Sequence, residues 1–250
     1  MSIWKEEVHR VSWLALFLCM VIVYGIIPTV VIRQTGAGIY KRGKHTKAVA
    51  LTFDDGPNPY YTPQLLDLLK KHGIKATFFL VGTKAKQYPQ LVKRMHEDGH
   101  DIGLHNYRHI SNWFIFPPFL QRGLRKSADV IEQITGERPI YYRPPWGHFN
   151  LCMWTVQTKY ITVMWTAILG DWRERLGVAT LVRRLKKSLK DGAIIVLHDS
   201  GETLGADKKA PEHMIQALQQ FFEDEAAKNA QWVTISEMID AQTNGQIRAI

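Results

Sequence analysis

Hydrophobic and polar residues alternate in blocks along this chain. Short apolar runs that end in polar or turn-forming residues predict buried strands at residues 48–53, 76–81, 101–104, 140–142, 161–165, 193–197 and 232–235. Longer segments with apolar residues at helical spacing predict helices at 63–72, 89–98, 120–135, 178–190 and 211–223. This alternation of strand and helix indicates parallel strands joined by right-handed crossovers.

An apolar run at residues 11–32 precedes this pattern and contains no charged residue. Its length is about that needed to cross a ~30 Å hydrocarbon layer. A cleaved secretory signal is the alternative, but such a signal has a shorter apolar core and a small-residue cleavage site close behind it. We therefore expect an N-terminal tail and membrane anchor at 1–33, a linker at 34–47 and one globular domain at 48–250.

Residues with reactive side chains follow several of the predicted strands. They are Asp54, Asp55, His105, His109, Arg143, Asp171 and His198. A barrel gathers its strand ends at one rim, whereas an open sheet would hold several of these residues too far apart to act together. The predicted fold is therefore α/β, an irregular (β/α) barrel of about seven strands.

The spacing of His105 and His109 suits a metal site. Two histidines four residues apart share one face of a helical turn and can bind one divalent ion. The pair alone is weak evidence, and the His-Glu-x-x-His pattern of zincin proteases is absent. Asp54 and Asp55 strengthen it, since one carboxylate could bind the metal while the other accepts a proton. Alternatively, Asp54-Asp55-Gly56-Pro57 is only a turn, because these residue types favour turns.

Composition excludes some functions. The formal net charge of +9 favours an anionic partner without identifying it. Because no nucleic-acid-binding module or stripe of basic and aromatic residues is recognisable, nucleic acid is not an expected partner. The two cysteines, Cys19 in the apolar run and Cys152, predict neither a disulfide framework nor a thiolate metal site.

Five segments, in order, resemble the motifs of polysaccharide deacetylases with the NodB homology domain, the carbohydrate esterase family 4 type. They are Thr-Phe-Asp-Asp-Gly-Pro at 52–57, His-Asn-Tyr-Arg-His at 105–109, Arg-Pro-Pro-Trp-Gly at 143–147, Asp-Trp at 171–172 and Leu-His at 197–198. The resemblance spans roughly residues 45–240. It implies a NodB-like barrel and an enzyme that removes N-acetyl groups from the amino sugars of a polysaccharide with the help of a divalent metal ion.

The resemblance also implies a role for each matching residue. Asp54 would be the general base, oriented by Arg143, and His198 the general acid, positioned by Asp171. The metal ligands would be Asp55, His105 and His109, and the wall around the acetyl methyl group would be Trp146, Trp172 and Leu197. The chemistry supports this division independently, because amide hydrolysis needs a base for the attacking water and an acid for the departing amine.

The sequence departs from the family pattern at three positions. Asn106 stands where the family has Ser or Thr, Trp146 replaces a tyrosine, and Ile168 stands where an aspartate is common. The loss of that aspartate motivates an alternative, a catalytically silent carbohydrate-binding or scaffold protein that retains the fold. A site of two histidines and one carboxylate suits zinc, the expected ion, but also cobalt, manganese and nickel.

The expected substrate is a polysaccharide with N-acetylated amino sugars, peptidoglycan or a chitin-like oligomer, because an anchor and basic charge suit an acidic cell wall. The basic residues after the apolar run outnumber those before it; they are Arg33, Lys41, Arg42, Lys44 and Lys47. The positive-inside tendency would keep the domain in the cytoplasm. An external polysaccharide requires the opposite orientation, and we favour a single-pass protein of the cell membrane with its domain outside.

Overall fold

A curled sheet of parallel strands forms the centre of the domain. The computed structural model describes residues 13–44 and 46–247, and this part contains β1 (Ile39–Tyr40), β2 (Ala50–Asp54), β3 (Thr77–Leu80), β4 (Asp101–Leu104), β5 (Tyr141–Tyr142), β6 (Ile161–Val163), β7 (Ala167–Ile168) and β8 (Ile194–His198). Their order across the sheet is β1-β6-β5-β4-β3-β2-β8-β7, and each neighbouring pair is parallel.

Helices connect the strands, as the alternating pattern predicts. After the N-terminal helix the described α-helices are Tyr61–Lys71, Gly82–Gln87, Pro89–Glu97, Pro117–Thr135, Met153–Gln157, Val178–Ser188, Ala210–Phe222, Glu225–Lys228 and Ile235–Ile247. Short 3-10 turns lie at Asn112–Phe114, Pro145–Gly147 and Glu174–Leu176. The helices predicted from the sequence all form, with ends that differ by no more than a turn.

The irregular barrel is confirmed as a half-barrel with an open side. Its edges are β1 and β7, which do not pair with each other among the described residues. The described residues form eight strands instead of about seven. Strand β1 lies in the segment predicted as a linker, and β7 lies outside the predicted strands; each is only two residues long.

The strand predicted at 232–235 is wrong, since only an isolated bridge between Val49 and Trp232 forms there. Thr234 caps the helix Ile235–Ile247 instead. Glu237 Oε2 accepts a hydrogen bond from the Thr234 backbone N–H at 2.9 Å, and Thr234 Oγ1 accepts one from the Glu237 N–H at 3.3 Å. This capping box ends the extended backbone and starts the helix.

Alternation along the strands separates the core from the concave face. In β2 and β8, Leu51, Phe53, Ile195 and Leu197 point to the helices and join the main hydrophobic core. The residues between them point to the concave side. Asp54 and His198 belong to this second set, so the sheet itself directs their side chains to the concave side, where the strands end.

One long helix, Trp13–Thr35, precedes the domain and includes a π-helical turn at Ile22–Ile26. By length and composition it is able to cross a membrane, although a signal sequence near the N-terminus would have the same properties. We call it the anchor helix. Its second half packs on the domain, where Thr29 Oγ1 accepts hydrogen bonds from the Phe149 backbone N–H and from Trp113 Nε1, both at 2.9 Å.

Candidate active site

Three side chains that follow β2 and β4 form a cluster with the composition of a metal site. Asp55 Oδ1 lies 3.3 Å from His105 Nε2 and 3.0 Å from His109 Nε2. The ligand atoms of the three residues all lie within 4.8 Å of one another. Asp55 has a left-handed backbone with a φ of 76°, so the chain turns sharply as it leaves the strand. The structure therefore brings together the three residues predicted as metal ligands.

The hydrogen bonds around this cluster suit a divalent cation. Asp55 Oδ1 is buried and has no hydrogen-bond partner among the described residues, whereas Oδ2 accepts a hydrogen bond from Thr203 Oγ1 at 2.6 Å. His105 Nδ1 donates to the Arg143 carbonyl oxygen at 2.7 Å, which leaves the lone pair of Nε2 directed at Asp55. A buried carboxylate oxygen without a partner is costly, and a cation between it and two imidazole nitrogens would remove that cost.

Electrostatics favour the protonation states that bind metals. Burial raises the pKa of Asp55, but the two neighbouring imidazoles outweigh burial and hold this pKa well below its usual value. Burial lowers the pKa of His109, although the Asp55 carboxylate acts in the opposite direction. An ionised carboxylate and a neutral imidazole are the forms that ligate a metal ion.

Asp54, the second carboxylate, is held by a buried arginine. Arg143 Nη1 donates to Asp54 Oδ1 at 2.7 Å and to Thr52 Oγ1 at 2.8 Å. The guanidinium is completely buried, and its other nitrogens donate to the Val163 and Met164 carbonyl oxygens. Breaking a buried ion pair with such a set of hydrogen bonds is strongly destabilising, so the position of the Asp54 carboxylate is fixed.

His198 ends β8 and is paired with Asp171. The Asp171 carboxylate accepts a hydrogen bond from the His198 backbone N–H at 2.6 Å, and its Oδ1 lies 3.1 Å from His198 Nδ1. Burial lowers the pKa of His198, but the Asp171 carboxylate, helped by Asp55 and Asp54, outweighs burial and raises this pKa to about 10. Because Nδ1 faces Asp171, the N–H at Nε2 remains available to a substrate.

The three residues of the ligand cluster, Asp55, His105 and His109, line one cavity of about 380 Å³ together with Asp54 and His198. Trp146 and Trp172 also lie in its lining, with ring centroids 4.2 Å from His109 and 5.4 Å from His198 respectively. The remaining lining residues are Arg33, Trp165, Ile168, Val196, Thr203, Gly205 and Ala206. Aromatic and aliphatic walls around a few charged groups are typical of a small-molecule or sugar pocket.

Leu197 is not in this lining, which corrects its predicted place in the pocket wall. Its side chain is completely buried in the hydrophobic core on the opposite face of β8. Successive strand residues point to opposite faces, so Val196 and His198 share the concave side. Val196 therefore lines the cavity instead of Leu197.

Two of the departures from the family pattern are accommodated locally. Asn106 has a φ of 60°, a conformation that asparagine tolerates better than most residues, and its Nδ2 donates to the Ile110 carbonyl oxygen and to Asn112 Oδ1. Ile168 lies opposite Val196 in the register of β7 and β8 and adds an apolar side chain to the cavity.

Three contributors to the site were missed in the sequence. Thr203 orients Asp55, and Lys84 Nζ donates to the Asp55 carbonyl oxygen at 3.0 Å. Arg33, at the end of the anchor helix, donates from Nη2 to the Trp146 carbonyl oxygen at 2.6 Å and from Nε to that of Gly147 at 3.2 Å. None of the three belongs to one of the five motifs, so their part in the site was not predicted.

The chain is similar to known proteins in both sequence and fold. Residues 41–163 match the family described as polysaccharide deacetylase. A peptidoglycan-N-acetylglucosamine deacetylase of Bacillus cereus is 32% identical over 212 residues, which cover 83% of this chain and 95% of the relative. The structure of the peptidoglycan deacetylase PdaC from Bacillus subtilis superposes with a TM-score of 0.71 and 30% identity, covering 82% of this chain and 96% of that one.

A third structure, a CE4 family pseudoenzyme from Bacillus anthracis, superposes with a TM-score of 0.69 and 26% identity, covering 80% of this chain and 68% of that one. The fold is thus found in catalytic and in silent proteins. The sequence match extends over nearly the whole length of the Bacillus cereus relative, and the fold matches as well. This chain therefore belongs to the polysaccharide deacetylase family of enzymes.

Proposed function

We propose that this protein removes N-acetyl groups from the amino sugars of peptidoglycan and that it uses a divalent metal ion, zinc, held by Asp55, His105 and His109. The observation that carries the proposal is the shared cavity, in which a carboxylate paired with arginine, a histidine paired with aspartate and the ligand cluster all face the same space. Hydrolysis of an amide needs this combination, because the attacking water must lose a proton, the carbonyl group must be polarised and the departing amine must gain a proton.

In the proposed reaction, Asp54 accepts a proton from a water molecule as the water oxygen attacks the acetyl carbonyl carbon. When bound, the ion acts as a Lewis acid that polarises this carbonyl group. His198 then donates the proton on Nε2 to the nitrogen as the carbon–nitrogen bond breaks, so acetate and a free amine leave. Arg143 and Asp171 position the two groups, while Trp146, Trp172, Val196 and Ile168 surround the acetyl methyl group.

Peptidoglycan is the proposed polymer for two reasons. Relatives matched over most of this chain are named peptidoglycan deacetylases, such as the Bacillus cereus protein. In addition, the net charge of +9 favours approach to an acidic cell wall. A chitin-like oligomer has the same N-acetylated sugar and is the alternative substrate.

We further propose that residues 1–33 hold the enzyme in the cell membrane with its domain outside. Arg33 and Arg42 had suggested the opposite orientation, but both donate hydrogen bonds to carbonyl oxygens of the folded domain. Their positions are thus explained by folding contacts, which weakens the argument from basic residues for a cytoplasmic domain. The linker proposed at 34–47 also contacts the domain, since it contains β1 and Arg42.

Acetate release tests the proposal. Full-length protein in detergent, supplied with zinc, is expected to release acetate from peptidoglycan fragments and from N-acetylglucosamine oligomers. A double variant, His105→Gln with His109→Gln, should bind less metal and release no acetate. A comparison of the two substrates decides the polymer, and zinc, cobalt, manganese and nickel added separately to metal-free enzyme decide the ion.

A catalytically silent protein is the second candidate, and the pseudoenzyme among the similar structures together with Ile168 favours it. It predicts a different result in the same assay. Metal would bind with full occupancy, and oligosaccharide would bind, yet no acetate would appear with any of the four ions. That outcome would refute the enzymatic proposal.

A further inference from the structure

The anchor helix is too short to cross a membrane if only the part that is clear of the domain does so. The apolar run before Tyr24 begins at Val11 and would reach about 20 Å at the α-helical rise. A hydrocarbon layer of ~30 Å needs about 20 residues. The additional turns needed to span the layer are those at Tyr24–Ile32, the part of the helix that packs on the domain. If the run spans a membrane, these turns and the surface beside them lie at membrane depth.

The free side of the packed turns has the character of a surface in contact with lipid. Ile27, Val30 and Val31 are between 45% and 48% exposed, and no charged residue lies among them. Buried contacts hold the opposite side, where Gly25 allows Trp113 to approach so closely that a Cβ at Gly25 would lie 2.6 Å from the Trp113 ring. Exposure of three neighbouring aliphatic side chains to water is unfavourable, and such a surface indicates an interaction site.

The domain continues this apolar surface next to the helix. We call Phe114, Phe116, Phe119, Leu151 and Trp154 the apolar collar; each is between 52% and 68% exposed. The collar is joined to the anchor helix, since Tyr24 Oη donates to the Ile115 carbonyl oxygen at 2.8 Å and the Tyr24 carbonyl accepts from the Leu151 N–H at 3.0 Å. Such a contiguous exposed apolar patch marks an interaction surface.

Basic residues border the collar. Arg108 lines an apolar groove of about 530 Å³ together with Phe114, Phe116 and Phe119, and Arg122 follows Phe119 by one helical turn. Both arginines are exposed. Aromatic and aliphatic residues flanked by arginine are typical of proteins that lie in the interface of a membrane, where the cations meet anionic headgroups.

We infer that the apolar collar lies in the interface of the same lipid bilayer that the anchor helix crosses, so that the bilayer is the partner of this face of the domain. The inference rests on the anchor in the proposed function but not on the chemistry of the active site. Because Arg33 at the end of the anchor helix lines the catalytic cavity, the cavity is held close to the membrane surface. Glycan strands next to the membrane are then the substrate within reach.

Fluorescent labels at single cysteines test the inference in the full chain. Cys19 and Cys152 are first replaced by serine. Phe119→Cys places a label in the collar, and Tyr60→Cys is a matched control, because the two native side chains are 68% and 67% exposed. The proteins are reconstituted in phosphatidylglycerol and phosphatidylethanolamine vesicles, with and without a lipid that carries a nitroxide quencher near the top of its acyl chain.

The label at position 119 is expected to lose at least half of its fluorescence to the quencher and to shift to shorter wavelength, whereas the label at position 60 changes little. Phe114→Cys with Ile140→Cys as its control repeats the comparison at independent positions. Equal quenching at collar and control positions would overturn the inference, whether the collar then binds water, a second copy or another protein.

Peptidoglycan fragments are added to the same vesicles, and acetate release from these fragments is measured. This measurement separates the inference from the proposed function. Quenching without acetate release would leave the membrane contact supported and refute the deacetylase activity. Acetate release without selective quenching would do the reverse.

Discussion

Asp54 and His198 are register partners at the carboxyl ends of β2 and β8. Their side chains therefore project to the concave side of the sheet from adjacent strands, which lie about 4.8 Å apart. A cation, Arg143, contacts the first, and an anion, Asp171, contacts the second. These opposite partners suit a proton acceptor and a proton donor, respectively, within one pocket.

Asp54→Asn is expected to separate catalysis from metal binding. Acetate release should fall by at least about 100-fold, because the proton acceptor is lost. Zinc content, measured by mass spectrometry, should stay near one ion per chain, since Asp54 is not in the ligand cluster. Circular dichroism checks that Arg143 without its partner has not unfolded the domain. Loss of zinc along with activity would place Asp54 among the ligands.

Thr203→Val should weaken metal binding without touching a ligand atom. The hydroxyl donates to Asp55 Oδ2 and leaves Oδ1 for the ion. Loss of such an outer hydrogen bond typically lowers metal affinity about 10–100-fold. Competition with a chelator measures the affinity, and Thr203→Ser, which keeps the donor, is the control. Equal affinities of the valine and serine variants would contradict the role of this hydroxyl.

Asp171→Asn should move the alkaline limb of the pH profile of kcat/KM to lower pH. The Asp171 carboxylate is the strongest of the influences that raise the pKa of His198, which reaches about 10 despite burial. Without that charge, burial dominates and the imidazolium loses its proton at lower pH, so the general acid is lost earlier as the pH rises. An alkaline limb at the same pH in both proteins would refute this assignment.

Val196→Ala and Leu197→Ala should have different consequences, although the residues are neighbours. Leu197 belongs to the core, so its truncation should lower the free energy of unfolding by about 2–5 kcal/mol with little change in KM. Val196 lines the cavity, and its truncation should raise KM for acetylated oligomers several-fold. Urea unfolding and steady-state kinetics on both variants decide the matter, and the reverse pattern would restore Leu197 to the pocket wall.

His100 should make the fold sensitive to acid. Its Nδ1 accepts a hydrogen bond from the Ala76 N–H at 3.1 Å, and burial lowers its pKa from 6.5 to about 4. The unfolded chain thus binds more protons between these two values. The stabilisation from neutral His100 is complete above pH 6.5 and is lost as the pH falls to 4. The loss in free energy of unfolding is at most about 3 kcal/mol.

His100→Asn keeps an acceptor near the position of Nδ1 but cannot titrate. Urea unfolding in detergent at pH 7 and pH 4.5 should show a smaller loss of stability on acidification for this variant than for the unchanged protein. Other titrating groups, including the metal ligands, are common to both proteins and cancel in the comparison. Identical losses would show that His100 does not carry the effect.

The positions of site residues can be predicted from the sequence where they occupy a strand end or a short motif. Asp54, Asp55 and His198 follow buried apolar runs, and a strand end is a position that the apolar pattern locates well. The prediction placed the wrong residue of β8 in the pocket wall, because Val196 and Leu197 are both apolar and composition does not distinguish them. Alternation does distinguish them, since a residue two positions from His198 shares its face.

The remaining site residues could not be predicted, because their positions depend on how distant segments meet. Thr203 reaches Asp55 from a loop 148 residues away, and Arg33 reaches Trp146 from the anchor helix across 113 residues. Neither contact leaves a periodic or local pattern. The two-residue strands β1 and β7 were missed for a similar reason, because they exist only through pairing with β6 and β8.

The hydrogen bonds from Arg33 to Trp146 and Gly147 have a practical consequence for biochemists who prefer water-soluble fragments. A secreted version that starts after Thr35 would lack this guanidinium, and Trp146, whose backbone φ is 55°, would lose a donor that holds its carbonyl oxygen. Specificity measured on such a fragment would describe an altered pocket. Nanodiscs or detergent micelles that retain the whole helix would preserve the pocket as the cell uses it.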